Sequence, residues 1–229
     1  VNLLKNSPIP DDQLLANLAI YLSRPLFTRI MFMHELYKKI INVHGDIMEF
    51  GVRWGQNMSL FHVFKGIYEP YNFHRKIIGF DTFEGFPSIH KNDGDAAEVH
   101  IGSMSVSDQY EEYLEQILDF HVDVNPLSHL HQYKLIKGDA TKTIHEYLAK
   151  NPETMIAFAY FDFDIYEPTK VCLEAIKPHL NRGSVIGFDE LAVHKWPGEI
   201  LAFREVFGEN NFSVRRSQYT PYETYIVFE

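Results

Sequence analysis

The sequence predicts an α/β fold in which a mostly parallel sheet carries helices on both faces. Three observations lead there. Short runs rich in β-branched and aromatic residues alternate with segments of helical periodicity, the pattern of crossover units. An acidic residue recurs at the end of nearly every such run. The last two runs are separated only by "QYTPYE", too short for a crossover, so they form an antiparallel hairpin at one edge.

In chain order, two helical segments come first, at about 11–22 and 26–42, with Pro25 near the start of the second, where proline is tolerated. The stripe Met33, Leu36, Tyr37, Ile40 on the second needs an apolar partner; a homo-oligomer contact mediated partly by these two helices is the expectation, with packing on its own sheet as the alternative. The expected strands are "DIMEFGV" (46–52), "KIIGFD" (76–81), "YKLIKGD" (133–139), "MIAFAYFD" (155–162), "SVIGFDE" (184–190), "FSVRRS" (212–217) and "TYIVFE" (224–229). Helices are expected over 56–66, 107–121, 141–150, 168–180 and 197–207. In 107–121, Tyr110, Tyr113, Leu114, Ile117 and Leu118 keep the spacing of one helical face. The connection from Glu84 to Gln132 is too long for a turn, and 84–106, polar and broken, is expected to be a mobile lid. Its "DGD" (93–95) lacks the rest of a calcium loop. All of this reads as one domain over 1–229, with 1–45 as N-terminal helices.

Composition narrows the partners. A formal charge of −10 argues against a nucleic-acid backbone or an anionic membrane. With Cys172 as the only cysteine, no intrachain disulfide forms, and a cytoplasmic location is expected. No apolar run is long enough to span a bilayer, and "VNLLKNSPIP" lacks the apolar centre of a signal peptide.

The acids at the strand ends are Glu49, Asp81, Asp139, Asp162 and Asp189. In an open parallel sheet, ligands bind outside the carboxyl ends of the strands, so this rim is the expected site. Helix capping is the plainer role for such residues. In "EFGVRWGQN" (49–57), Gly51 and Gly55 allow a tight turn and a close backbone approach to a ligand. The spacing is not the G-x-G-x-x-G of dinucleotide binders, which weighs against a nicotinamide-dependent oxidoreductase. Asp81 is placed to accept both hydroxyls of a ribose, and Asp139 to meet an exocyclic adenine amine. This half of the rim reads as an adenosine site. The other half holds Asp162, Asp164, Asp189 and Glu190, a set of oxygen donors suited to a hard cation such as Mg²⁺ or Mn²⁺. Asp162 and Asp164 share one face if the strand stays extended.

The stretches "GDIMEFGVRWGQN", "GFDTFEGFP", "KGDATKTI", "FDFDIYEPT" and "GFDELAVHKWPGE" resemble, in this order, the class I S-adenosylmethionine-dependent methyltransferases, and more narrowly the macrocin O-methyltransferase (TylF-like) family. That resemblance implies a Rossmann-like, seven-stranded sheet in the order 3-2-1-4-5-7-6. It also implies methylation of a sugar hydroxyl on a small sugar-containing acceptor: a nucleotide sugar, a glycosylated natural product or a polysaccharide precursor. A catechol-like diol would fit the same metal chemistry and is the alternative. S-adenosylmethionine would contact Glu49, Gly51, Arg53, Gly55, Asn57, Asp81, Thr82, Phe83, Gly138, Asp139, Ala140 and Asp162. The metal would be held by Asp162, Asp189 and Glu190, the last departing from the family's usual aspartate. Asp164 is the candidate base, with His194 as its rival, although His194 equally reads as a surface-loop histidine. Trp196 either stacks on a sugar face or is buried structure.

Overall fold

The structure, a computed structural model, describes residues 2–191, 193–208 and 212–229. The chain opens with two one-turn helices, α1 (Asn2–Lys5) and α2 (Asp11–Leu14), and a 3₁₀ stretch (Leu15–Tyr21) before α3 (Arg24–Ile40). Then follow β1 (Asp46–Phe50), α4 (Gln56–Tyr68), β2 (Ile77–Asp81), α5 (Tyr110–Asp123), β3 (Tyr133–Lys137) and α6 (Ala140–Lys150). The second half contains β4 (Ile156–Phe161), α7 (Tyr166–Ile176), β5 (Leu180–Phe188), α8 (Gly198–Phe207), β6 (Arg215–Arg216) and β7 (Thr224–Val227). The seven strands form one sheet in the order β3-β2-β1-β4-β5-β7-β6, the expected topology. The pairs among β1 to β5 are parallel, and β7 runs antiparallel to both β5 and β6.

Alternation along the strands divides the core in two. Met48 and Phe50 of β1 face a layer built on α6, α7 and α8, where Cys172 is buried as well. Ile47 of β1 and Phe158 and Tyr160 of β4 face the opposite layer of α3, α4 and α5. The stripe Met33, Leu36, Tyr37, Ile40 lies in this second layer, fully buried against its own sheet. It is therefore core, and the expectation of an oligomer contact there is corrected. In α5 the buried positions are Leu114, Leu118 and Val122, while Tyr113 is exposed.

Most strands end one or two residues inside their expected bounds, and two elements depart further. The first N-terminal helix gives way to a 3₁₀ stretch, and none of its residues is buried, so tertiary packing adds nothing to a short helix that is marginal alone. The sixth strand is reduced to two residues, because Phe212 packs on Phe207 and Phe228 instead of extending the ladder.

Arg75 anchors α3 to the sheet. Its guanidinium donates to the carbonyls of Ile40 and Val43 at the end of α3 (both 3.0 Å) and to that of Gly45 before β1 (2.6 Å). It also forks onto both carboxylate oxygens of Glu69, at 2.8 and 2.9 Å, and Tyr37 donates to Glu69 at 2.6 Å. Every member is buried, and removing one partner of a buried pair leaves an uncompensated charge. Arg75→Met is expected to lower the unfolding free energy by about 3–5 kcal/mol in urea titrations. A loss below about 1 kcal/mol would show that water replaces the arginine.

Candidate active site

Parallel register brings the strand ends level. Phe80, Phe50, Phe161 and Phe188 pair across four neighbouring strands and stack with ring centroids 5.1, 4.6 and 5.5 Å apart. One residue further on stand Asp81, Gly51, Asp162 and Asp189. Because side chains alternate, the phenylalanines face α6, α7 and α8, and the acids follow on the opposite side. Above them opens a cavity of about 500 Å³. Gly51, Arg53, Asn57, Asp81, Thr82, Gly138, Asp139 and Ala140 line one part of it, and Asp162, Asp164 and Asp189 the other. Glu49, Gly55, Phe83, Glu190 and His194 are not among its lining residues.

The first part is shaped by backbone geometry. Gly51 has φ 93°, and a Cβ there would overlap the carbonyl oxygen of Asp162, so only glycine fits between β1 and β4. Gly55, with φ 74°, precedes α4 against the side chain of Leu114. Asp81 accepts from the Arg53 amide (2.7 Å) and the Phe83 amide (2.6 Å), tying together the loops after β1 and β2. Arg53 and Phe83 both take positive φ, and the Phe83 side chain is buried in the core. Burial raises the Asp81 pKa against the pull of these amides. Thr82 donates to the Gly85 carbonyl (2.7 Å), starting the turn into the lid segment. Glu49 lies beneath the floor, accepts from Asn57 (2.9 Å), and is pushed up to about 8 by burial. Asp139 caps α6, accepting from the Thr141 amide (3.0 Å) and hydroxyl (2.7 Å). Burial opposes its ionisation, yet these bonds and Lys142 hold it below the usual carboxylate range.

The second part is a concentration of carboxylates. Asp164 has φ 62°, so the chain is no longer extended beyond Phe161, and the left-handed turn, rather than strand alternation, brings both aspartates to the cavity. Arg29 of α3 bridges the remaining pair, its Nη2 donating to Asp162 Oδ2 and its Nη1 to Asp189 Oδ1, both at 2.7 Å. Tyr160 adds a hydrogen bond to the same Asp189 oxygen at 2.9 Å. Burial, then the charge of Asp189, push Asp162 well above the ordinary carboxylate range, with Arg29 opposing. Burial, Asp189 and Glu190 push Asp164 up to about 7.

Sequence reasoning missed three members of this cluster. Arg29 sits one helical turn before Met33 on the buried stripe of α3, and Tyr160 two residues before Asp162 on one strand face. Both were legible as spacings, but not as partners of the rim. Glu199, in the first turn of α8, is fully buried against Asp162, Asp164 and Asp189. The Glu190 backbone faces it, yet neither carboxylate oxygen completes a hydrogen bond among the described residues. Burial first, then the three aspartates, raise its pKa well above the usual range.

The expected metal ligands are not gathered as a set. Among the described residues, no group of three or more His, Cys, Asp or Glu side chains is placed to hold a metal ion, and Arg29 stands between Asp162 and Asp189. Glu190 is partly buried, and its Oε2 has no hydrogen-bond partner among the described residues. His194 is exposed on the loop before α8. Trp196 is buried with Phe86 and Ile165, at 6.4 Å between ring centroids from Phe86, and so fastens the 84–106 segment. Asp93 of the "DGD" fastens it too, accepting from the amides of Tyr166 and His90 at 2.6 Å each. The lid segment's Gly85, Phe86, Pro87 and Met104 complete the cavity wall.

This sheet order, with a glycine turn after β1 and acids after β2 and β3 around one cavity, defines a class I S-adenosylmethionine-dependent methyltransferase. The family model for macrocin O-methyltransferase (TylF) matches residues 27–208, and the chain belongs to that family. Among solved structures, the calicheamicin methyltransferase CalS11 is 44% identical, with 99% of this chain and 89% of that chain covered and a TM-score of 0.97. An apo structure of CalS11, described as a TDP-rhamnose 3'-O-methyltransferase, gives 42% identity, coverage of 99% and 90%, and a TM-score of 0.88. The O-methyltransferase NovP shares the fold at 19% identity and a TM-score of 0.65, over 87% of this chain and 79% of that chain. A comparison with curated proteins finds no match.

The glycine after β1 offers a test of the cavity floor. Gly51→Ala must bear left-handed strain of about 1–2 kcal/mol and also displace the β4 backbone. Gly102→Ala meets open space at φ 79° and bears the strain alone. Calorimetry should therefore find S-adenosylmethionine binding weakened more than tenfold by Gly51→Ala and nearly unchanged by Gly102→Ala. Equal effects would place the cofactor away from this turn.

Proposed function

We propose that the chain methylates a hydroxyl of a nucleotide sugar, using a divalent cation held at the acidic end of the cavity and Asp164 as the base. O-methylation of a sugar hydroxyl is the reaction of the family group that the chain matches. The observation that carries the finer reading is the single cavity that joins the Gly51–Asp81–Asp139 floor to a cluster of aspartates. The TDP-rhamnose substrate of a relative similar over almost the whole chain supports a nucleotide-linked acceptor.

The donor chemistry fits a hard cation. The cluster offers carboxylate oxygens and no thiol, and its charges exceed what Arg29 alone neutralises. Among the described residues Glu190 Oε2 is buried without a hydrogen-bond partner, which a nearby cation would offset. Asp162, Asp189 and Glu190 would hold it. When bound, such a cation makes a coordinated hydroxyl more acidic and fixes its oxygen.

The chain's own residues account for the rest. Asp81 faces the cavity where a ribose would lie, Asp139 and Ala140 stand at the adenine end, and Gly51 and Arg53 supply the turn beside the amino-acid moiety. Glu49 supports that turn through Asn57. Asp164 takes the hydroxyl proton as the acceptor oxygen forms its bond to the methyl carbon and the carbon–sulfur bond breaks, leaving S-adenosylhomocysteine. The lid segment over Phe86 and Pro87 restricts water. Buried, unpaired Cys172 is compatible with a cytoplasmic setting, and no helix among the described residues is long and apolar enough to cross a membrane. Exposed Leu3, Leu15, Ile20 and Phe27 around the N-terminal turns support a homo-oligomer through that segment instead of the buried stripe. Light scattering should find more than one copy per particle, and a monomer at working concentration would refute this.

Incubation with S-adenosylmethionine, Mg²⁺ and a panel of nucleotide sugars should yield a monomethylated product by mass spectrometry. Excess chelator should abolish it, and Mn²⁺ should restore it. Full activity in chelator would remove the cation from the scheme.

Asp164→Asn retains shape without basicity and should lower kcat by about 10²–10⁴-fold with little change in S-adenosylmethionine affinity. His194→Asn should leave kcat intact and at most raise the acceptor KM. The reverse pattern would make His194 the base.

A further inference from the structure

We propose that Arg29 is a built-in counter-cation: its guanidinium occupies the place between Asp162 and Asp189 and gives way when a divalent cation binds, so that this arginine sets the cation affinity of the site. The inference rests on the cation reading above and extends it to a residue on a different element.

The bonding of Arg29 carries the argument. Its two terminal nitrogens take one oxygen from each aspartate, at 2.7 Å, the separation expected of charge-assisted bonds. A cation shared by the two aspartates would need this same space. The guanidinium and a dication held there repel across a few ångströms at low effective dielectric, so the two exclude one another. Arg29 is also incompletely satisfied. Its Nε is buried without a hydrogen-bond partner among the described residues, whereas Arg75, a structural arginine, bonds through all three nitrogens. Two aspartates hold Arg29 in place, and a competitor for those two releases it.

The placement of Arg29 permits release. Arg75 fixes the far end of α3, and the fully buried stretch of the helix begins at Phe32 and Met33. Ahead of these, Leu26 and Phe27 are exposed, and residues 2–21 contribute no buried side chain. The first turns of α3 therefore yield without opening the core. The charge balance favours the exchange. One guanidinium faces Asp162, Asp189, Asp164 and Glu190, with Glu199 close behind, and a dication supplies twice the charge at the same point.

The test is Mn²⁺ binding to the full chain, followed by the electron paramagnetic resonance signal of free Mn²⁺, for wild type, Arg29→Met and Arg29→Lys. Urea unfolding curves check that each variant is folded. Arg29→Met should bind Mn²⁺ at least tenfold more tightly than wild type, a change of about 1.4 kcal/mol. Arg29→Lys should fall between them, because one ammonium cannot fork onto two carboxylates, and it serves as the test if the methionine variant does not fold. In wild type, saturating Mg²⁺ should speed hydrogen exchange across residues 24–31. Equal or weaker Mn²⁺ binding by the variants would overturn the inference, since Arg29 would then be positioning the ligands. Absence of Mn²⁺ binding by every chain would overturn the cation reading itself, and this inference with it.

Discussion

The in-register parallel pairing of β2, β1, β4 and β5 is the constraint on which the site depends. It stacks Phe80, Phe50, Phe161 and Phe188 in a row, and the next residue of each strand then falls at one level. A slip of one residue in β2, β4 or β5 would bring Asp81, Asp162 or Asp189 to the buried face in place of a phenylalanine. The apolar row thus does more than contribute buried area. It makes the placement of Asp81, Asp162 and Asp189 on one rim a consequence of core packing. Gly51 belongs to the same level, and its missing side chain lets the first loop pass against the Asp162 backbone.

Carboxylates gathered at a half-buried rim repel, and the fold manages that charge in different ways. Asp139 is paired with a helix terminus and Asp81 with two loop amides, so both act in the local architecture as well as lining the cavity. Asp162 and Asp189 are paired with an arginine from another element. Glu199 has only the Glu190 backbone facing it, and neither of its carboxylate oxygens completes a hydrogen bond among the described residues. Among the described residues, hydrogen bonding is incomplete at both ends of the cavity, at Glu49 Oε2 beneath the Gly51–Asp81 floor and at Glu190 Oε2 beside the aspartates. Unsatisfied charge is costly to stability, and it persists where function needs it.

Helix α3 links the two halves of the molecule. Its last turn is tied by Arg75 to β1 and α4, and its middle turns fill the core beneath the sheet. Its first turns carry Arg29 to the rim. The α1, α2 and 3₁₀ turns before it bury no side chain.

The sequence by itself determined the alternation of strands and helices, the terminal hairpin and the acids at the strand ends, because each is written in local periodicity or in a residue type next to a turn. Gly51, Asp81, Asp139 and Asp162 were legible for the same reason. Tertiary structure decided what periodicity cannot encode. The stripe on α3 reads the same whether it meets its own sheet or another copy, and only the packed fold assigns it to the core. Asp164 reached the cavity through a left-handed turn, although extended geometry had pointed to the same outcome by a different route. Arg29 and Glu199 stand 133 and 37 positions from Asp162, and no local pattern marks them as its neighbours. Long-range charge pairing depends on where three different elements end in space, and that is settled by the sheet register and helix packing alone.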